Sequence, residues 1–118
     1  MPLNVANTVT ITAKTSLANV TTVSANVLSN AASSNQIYKI NNILLSNYSA
    51  TAQTASIIIN RNGVGTFYVI NAASIPATSM LAVLGKDTQI YLEEGDTLQV
   101  LSSVNSAIHM TTGYELLS

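Results

Sequence analysis

Apolar and polar residues alternate along much of this chain, and the alternation predicts β-strands. Residues 8–13 read Thr-Val-Thr-Ile-Thr-Ala, so that every second side chain is apolar or small. A side-chain period of two is typical of a strand with one buried face. Residues 19–28 continue the pattern, but the apolar parity changes between Val20 and Val23. This change predicts a bulge or a break near Thr21.

Seven further segments have the same strand character, with turn residues about every eight to twelve positions. They are residues 36–47, 55–61, 64–71, 78–84, 88–92, 97–102 and 106–116. Residues 78–84, between Pro76 and Gly85, could also form a short helix, although we favour a strand. Polar loops are expected at 30–35 and 48–54, a connection at 74–77, and a bulge at Gly113. The sequence predicts an all-β antiparallel sandwich or jelly roll of eight to nine strands.

The strongest local signal is Asn62-Gly63, which predicts a tight hairpin with a type I′ turn. A two-residue loop would place Ile59 opposite Thr66, Ile58 opposite Phe67 and Ile57 opposite Tyr68. Both faces of the hairpin would then carry large apolar groups, so either both are covered or one is buried by a neighbouring subunit. The residues that we predict for such an interface are Ile57, Ile58, Ile59, Phe67 and Tyr68. A second hairpin is expected around the acidic residues 93–96, between 88–92 and 97–102.

The composition excludes several classes of protein. Only 8% of the 118 residues are charged, and four Lys and Arg against five Asp and Glu give a net charge of −1. Such a chain lacks the basic surface that nucleic-acid binding requires. No apolar run approaches the roughly 18 residues of a membrane span, and the first residues do not resemble a signal peptide, so we expect neither membrane insertion nor Sec-type export. The absence of Cys excludes disulfides and thiolate chemistry.

Few residues could carry catalysis. His109 is the only histidine, and its parity opposes Ile108 and Met110, which places it on the outer surface if those two point inward. Glu93 or Glu94 could pair with Glu115 as in glycoside hydrolases, but the chain has no Trp and one Phe to line a sugar cleft. We therefore expect no enzyme activity.

Two binding alternatives stay open. Four of the five acids lie within ten residues, and loop carboxylates can hold calcium, although charges at a turn usually only keep it solvated. They are Asp87, Glu93, Glu94 and Asp96. Five tyrosines could form a sugar-binding platform, but four of them fall in predicted strands, where cross-strand packing is the ordinary explanation. They are Tyr38, Tyr48, Tyr68, Tyr91 and Tyr114. No cofactor is predicted.

Three segments are informative together: residues 36–47 read Gln-Ile-Tyr-Lys-Ile-Asn-Asn-Ile-Leu-Leu-Ser-Asn, residues 86–100 read Lys-Asp-Thr-Gln-Ile-Tyr-Leu-Glu-Glu-Gly-Asp-Thr-Leu-Gln-Val, and the closing strand contains Tyr114-Glu115. In this order they resemble small virion proteins of tailed bacteriophages. The resemblance implies a β-sandwich structural subunit, trimeric, that decorates or cements the capsid. It brings no catalytic residues with it. It also implies synthesis in the bacterial cytoplasm, a place on the capsid surface, and contacts with the major capsid protein and with further copies of the chain.

The resulting expectation is a non-enzymatic decoration protein that binds across capsomer junctions as a homotrimer. The alternative is a neck, tail or fibre module for host or carbohydrate recognition. The Ser-, Thr- and Asn-rich N-terminal region suits strand addition to a neighbouring sheet, because main-chain hydrogen bonds need little side-chain specificity. We expect an extended arm over residues 1–7 and one β-sandwich domain over 8–118.

Overall fold

The computed structural model describes residues 10–85 and 90–118, and these ranges contain nine β-strands and no helix. Long strands rich in Val, Ile and Thr alternate with short polar connections, as the period-two pattern predicts. The strands are β1 (Ile11–Val20), β2 (Ala25–Ser29), β3 (Ile37–Asn47), β4 (Gln53–Arg61), β5 (Gly65–Ile75), β6 (Met80–Leu84), β7 (Ile90–Leu92), β8 (Asp96–Ser102) and β9 (Ile108–Leu117).

The strands form two antiparallel sheets that enclose one core. Sheet A has the order β1-β9-β3-β6, and β7 also pairs with β3; sheet B has the order β2-β8-β4-β5. The first strand therefore lies beside the last, and the second lies beside the eighth, which is the nested strand order of a jelly roll. The predicted fold class is confirmed. The predicted N-terminal arm, residues 1–7, lies outside the described residues.

The predicted break near Thr21 is where the chain passes from one sheet to the other. β1 ends at the buried Val20, and β2 begins in sheet B at Ala25. The prediction of separate strands at 8–13 and 19–28 was wrong, because β1 is continuous across residues 14–18. Its ladder with β9 is unbroken, and backbone pairing holds a strand together even where its side chains are polar.

The β4–β5 hairpin forms, but its turn and register differ from the prediction. Gly63 has a φ of +78° and Asn62 has no positive φ, so the turn is of type II and not type I′. The Val64 amide donates to the Arg61 carbonyl at 3.0 Å, which closes the turn, and Arg61 pairs with Gly65, so the loop has three residues. The pairing is shifted by one residue accordingly. Ile59 lies opposite Phe67, and Ile58 lies opposite Tyr68. β5 also includes Ser74 and Ile75, which we had expected in a connection.

The predicted second hairpin does not form. β7 pairs with β3 in sheet A, whereas β8 pairs with β2 and β4 in sheet B. Residues 93–96 therefore cross over the end of the sandwich. The crossing lets Leu92 and Leu98, both fully buried, fill the core from the two sheets. Burial of each such side chain contributes about 1.5–3 kcal/mol.

The bulge expected at Gly113 lies on the opposite strand. The β3–β9 register shifts between Ile40 and Asn42, so β3 has the extra residue. The Gly113 amide donates to Asn42 Oδ1 at 2.8 Å, and a Cβ at position 113 would lie 2.7 Å from that oxygen. A side chain at position 113 would therefore displace the Asn42 side-chain amide and its hydrogen bond.

Candidate interaction surfaces

The acidic turn, residues 93–96, is built around one arginine at the end of β4. Arg61 binds the buried Asp96 carboxylate through Nε at 2.7 Å and Nη2 at 2.9 Å. Nη2 also donates to Glu93 at 3.0 Å, and the Glu93 amide donates to Asp96 at 3.0 Å. Two-point binding of a carboxylate by a guanidinium is strong and fixes both groups in place. The turn is thus locked by contacts within the chain.

Opposing effects set the pKa of Asp96. Burial raises the pKa of this carboxyl, whereas the hydrogen bond from Arg61, the Glu93 amide and the Arg61 charge lower it. The net pKa lies below its ordinary value of 3.8. Hydrogen bonding to Asp96 and its negative charge raise the pKa of Arg61. Both groups are therefore charged across the neutral range.

The structure places the other candidate acids in separate contacts. Glu94 accepts a hydrogen bond from the Asn35 amide, and Glu115 accepts one from Asn41 at 3.0 Å. Asp87 lies outside the described residues. Within residues 10–85 and 90–118, no group of three or more His, Asp or Glu side chains is arranged to hold a metal ion. Calcium binding at this turn stays an open alternative, with Glu93 and Asp96 already engaged by Arg61.

His109 lies where its parity predicts, exposed on the outer face of sheet A between the buried Ile108 and Met110. Its ring packs on Tyr48, with centroids 4.2 Å apart and planes inclined by 30°. In the described part of the chain, no hydrogen bond joins His109 to a carboxylate or a hydroxyl. The arrangement has the form of an aromatic surface patch and lacks the couplings of a catalytic triad.

The tyrosines are divided between the two sheets. Tyr38 and Tyr114 stack with ring centroids 5.6 Å apart and pack against the core. These two tyrosines therefore make the cross-strand packing contact that is the ordinary explanation for tyrosines in strands. Tyr68 lies on the outer face of sheet B, while Tyr91 pairs with Lys39 in sheet A. Tyr48 follows β3 and contacts His109. The five rings are not gathered into one platform.

The predicted interface set divides into buried and exposed members. Ile57 is fully buried, Ile58 is 5% exposed, and Ile59 packs partly against the core. Phe67 and Tyr68 are 55% and 57% exposed, and because they are adjacent in β5 they project from opposite faces. Only these two of the five residues offer substantial side-chain area to a partner. Whether a partner binds there stays a prediction.

Sheet B is almost free of charge. Its four strands contain two charged residues, Arg61 and Asp96, and these two bind each other. The outer face that Ile58 and Tyr68 share with Gln99 therefore carries no unpaired charge. An uncharged face containing a large aromatic ring can be desolvated at low cost, since no ion has to leave water.

The described edge strands differ in their capacity for backbone pairing. β2 and β6 have five residues each, and β5 is interrupted by two register shifts. β1 has ten residues in unbroken register, with Lys14 as its single charge, and residues 11–15 are exposed throughout. A long, regular, sparsely charged edge strand is a template for another strand.

Apolar side chains also lie on the outer face of sheet A. Leu17 of β1 is 77% exposed, and Met80 of β6 is 60% exposed. Beside Leu17, a shallow groove of about 380 Å³ reaches His109 and Thr111. The sequence pattern did not single out this face, because residues 14–18 were not assigned to a strand.

Two asparagines are buried, and the sequence pattern did not predict their burial. Asn47, 1% exposed, donates to the Thr51 and Ile75 carbonyls at 2.9 and 3.0 Å and accepts two hydrogen bonds from Ser49. Asn30 donates to the Gln36 and Leu92 carbonyls at 2.9 and 3.1 Å. Their high hydrogen-bonding capacity lets each hold a loop against the end of a strand.

No family model matches the chain, and no curated protein shows significant similarity to it. Among solved structures, a chain of the Bacillus endospore appendages, which form a family of disulfide-linked pili, has a similar fold. The TM-score is 0.55 at 14% identity, and the match covers 92% of this chain and 88% of that one. The likeness supports the sandwich architecture. No helix within the described ranges is long and apolar enough to cross a membrane.

Proposed function

We propose that this chain is a non-enzymatic structural subunit of a virion, and specifically a capsid decoration protein. It binds across capsomer junctions as a homotrimer, with the major capsid protein and further copies of itself as partners. The location on the capsid surface, after synthesis in the bacterial cytoplasm, comes from the resemblance to small phage virion proteins and belongs to the same proposal.

The observation that carries the structural role is the exposure of large apolar side chains on sheet edges and outer faces of a sparsely charged protein. Phe67 and Tyr68 occupy one edge strand, and Leu17 occupies another. Covering these side chains with another protein would remove their apolar area from water, and this favours association. A subunit whose surface is covered by other proteins in an assembly accounts for these exposed side chains.

The contacts would act through burial and strand pairing. Apolar area removed from water contributes about 25 cal/mol per Å², so the two aromatic rings supply much of the attraction. Pairing at β1 would add main-chain hydrogen bonds, which fix orientation with little need for specific side chains. A trimer engages several equivalent lattice points at once, and this multivalency strengthens weak individual contacts.

A second candidate is a subunit of a fibre, which differs from the neck, tail or fibre module for host or carbohydrate recognition that the sequence left open. The fold likeness to a chain of endospore pili favours it. Those pili are described as disulfide-linked, whereas this chain has no cysteine, so disulfides of this chain could not link any filament that it forms.

Co-sedimentation with empty capsids of the phage that encodes the chain tests the proposal. We expect the wild-type chain to pellet with capsids, the double variant Phe67→Ser and Tyr68→Ser to stay in the supernatant, and Val23→Ser to pellet. Val23 is a matched control because it is exposed and apolar but lies between β1 and β2, away from the hairpin.

Filaments in electron micrographs of the chain alone would support the fibre candidate over decoration. A chain that neither pellets with capsids nor forms filaments would contradict both. Saturable binding of a glycan by such a chain would instead support a recognition module.

A further inference from the structure

The chain has thirteen asparagines, and Asn62 is the only one followed by glycine. Asparagine is among the chemically labile residues, and its side chain can be attacked by the amide nitrogen of the next residue. A side chain on that next residue hinders the attack, and glycine has none. Asn62 therefore differs from the other twelve in the group that follows it.

The structure leaves the two reacting groups accessible. Asn62 and Gly63 are exposed in the three-residue loop between β4 and β5. The Gly63 amide makes no hydrogen bond to any residue that the structure describes, and nothing lies within 4 Å of where its Cβ would be. A polar recess of about 270 Å³, lined in part by Asn60, Asn62 and Gly95, admits water to the site.

We propose that Asn62 is a site of spontaneous deamidation, by which the protein acquires a negative charge as it ages. The Gly63 nitrogen bonds to Asn62 Cγ and loses its proton, the bond from Cγ to the side-chain nitrogen breaks, and ammonia leaves. Water then opens the resulting succinimide at either carbonyl, which gives aspartate or isoaspartate at position 62. The step consumes only water and needs no cofactor. It does not depend on the proposed function.

Three other asparagines in the described ranges are held by contacts within the fold. Asn30 and Asn47 are buried, and each side-chain amide is held by two backbone carbonyls. Asn60, two residues from the site, is paired within β4 and is followed by Arg61. Asn60 is therefore a control inside the same hairpin.

The new charge would lie against the acidic turn. The Asn62 amide donates to the Gly95 carbonyl at 2.9 Å, which fixes the loop beside Glu93, Glu94 and Asp96. Arg61, which is adjacent to Asn62 in the chain, is already bound to Glu93 and Asp96. A carboxylate here is repelled by its neighbours, and isoaspartate also lengthens the backbone within a closed three-residue loop. Deamidation should therefore loosen the hairpin end of sheet B.

Peptide mapping by mass spectrometry of the full chain, aged in mildly alkaline buffer, tests the site. We expect the peptide with Asn62 to convert to its aspartate and isoaspartate forms at least tenfold faster than any peptide containing only other asparagines. Asn62→Gln should abolish this conversion. Conversion of Asn62 no faster than that of the exposed Asn105 would overturn the proposal.

The consequence is tested separately, by urea unfolding of Asn62→Asp and Asn62→Gln. We expect a lower urea midpoint for Asn62→Asp at neutral pH, with the difference reduced at high salt because the repulsion is electrostatic. Equal midpoints at low salt would contradict the predicted loosening of the hairpin.

Discussion

Two sets of side chains in this protein occupy positions opposite to those that their polarity predicts. Asn30, Asn47 and Asp96 are almost completely buried, whereas Leu17 and Phe67 are more than half exposed. In most globular proteins amides and carboxylates lie at the surface and large apolar groups lie inside. The buried polar side chains hold the ends of the sandwich, and the exposed apolar ones lie on its edges and outer faces.

The difference teaches that folding and assembly use separate residues. The buried polar groups are hydrogen-bonded within the chain, so their contribution is to the free energy of unfolding. The exposed apolar groups bury little in the single chain, so their contribution becomes large only when another protein covers them. Substitutions in the two sets should therefore have different consequences.

The largest expected effect is that of Asn47→Ala. It removes two donors and two acceptor positions at a buried site, so that the Ile75 carbonyl loses the Asn47 amide and the Thr51 carbonyl keeps only the Ser49 hydroxyl. Unsatisfied buried polar groups cost about 1–3 kcal/mol each, so we expect a loss of about 3 kcal/mol in urea unfolding. Asn26→Ala, on the exposed part of β2, is the control and should change stability by less than about 0.5 kcal/mol. Similar losses of unfolding free energy in Asn47→Ala and Asn26→Ala would contradict the claim that buried asparagines contribute more to folding than exposed ones.

The next largest effect is expected for Asp96→Asn, which should lower the free energy of unfolding by about 2 kcal/mol at neutral pH. The loss is limited because Arg61 is partly exposed and solvent screens its attraction to Asp96. Because the folded-state pKa of Asp96 is lowered, its contribution is complete above the unfolded value near 3.8 and is lost as the pH falls through the folded value. When unfolding is measured from pH 7 to pH 2, the free energy of unfolding should thus fall less in Asp96→Asn than in the wild-type chain. An identical pH dependence would show that Asp96 does not contribute in this way.

Thr112 sharpens the comparison, because it is a buried polar residue whose hydroxyl has no hydrogen-bond partner among the described residues. Thr112→Val keeps the shape and removes the unsatisfied group, so we expect the stability to rise by about 1 kcal/mol. A higher thermal midpoint would support this account. A lower midpoint would mean that the hydroxyl is satisfied in solution.

The smallest effect on folding is expected for the double change Phe67→Ser and Tyr68→Ser. Both rings are more than half exposed, so the single chain should lose about 1 kcal/mol or less. Denaturant titration at low protein concentration measures this directly. A loss as large as that of Asn47→Ala would place these rings among the residues that hold the fold.

Much of the architecture could be predicted from side-chain periodicity. The seven strands from β3 to β9, the break near Thr21 and the outward position of His109 were predicted in this way. Periodicity identifies a strand but not the sheet to which it belongs, so it predicts a hairpin around residues 93–96 where the chain crosses from one sheet to the other. The buried asparagines could not be predicted because Asn47 bonds to Ile75 and Asn30 bonds to Leu92, both distant in sequence. The exposed Leu17 was missed because Thr and Ser obscure the alternation in β1.

The most direct test of the account is the molar mass of the purified chain in solution, measured by light scattering over a range of concentrations. The account predicts three times the chain mass of 12.4 kDa, and a return to 12.4 kDa in the variant with Phe67→Ser and Tyr68→Ser. A mass of 12.4 kDa at every concentration for the wild-type chain would contradict it, because the exposed apolar edges would then persist uncovered.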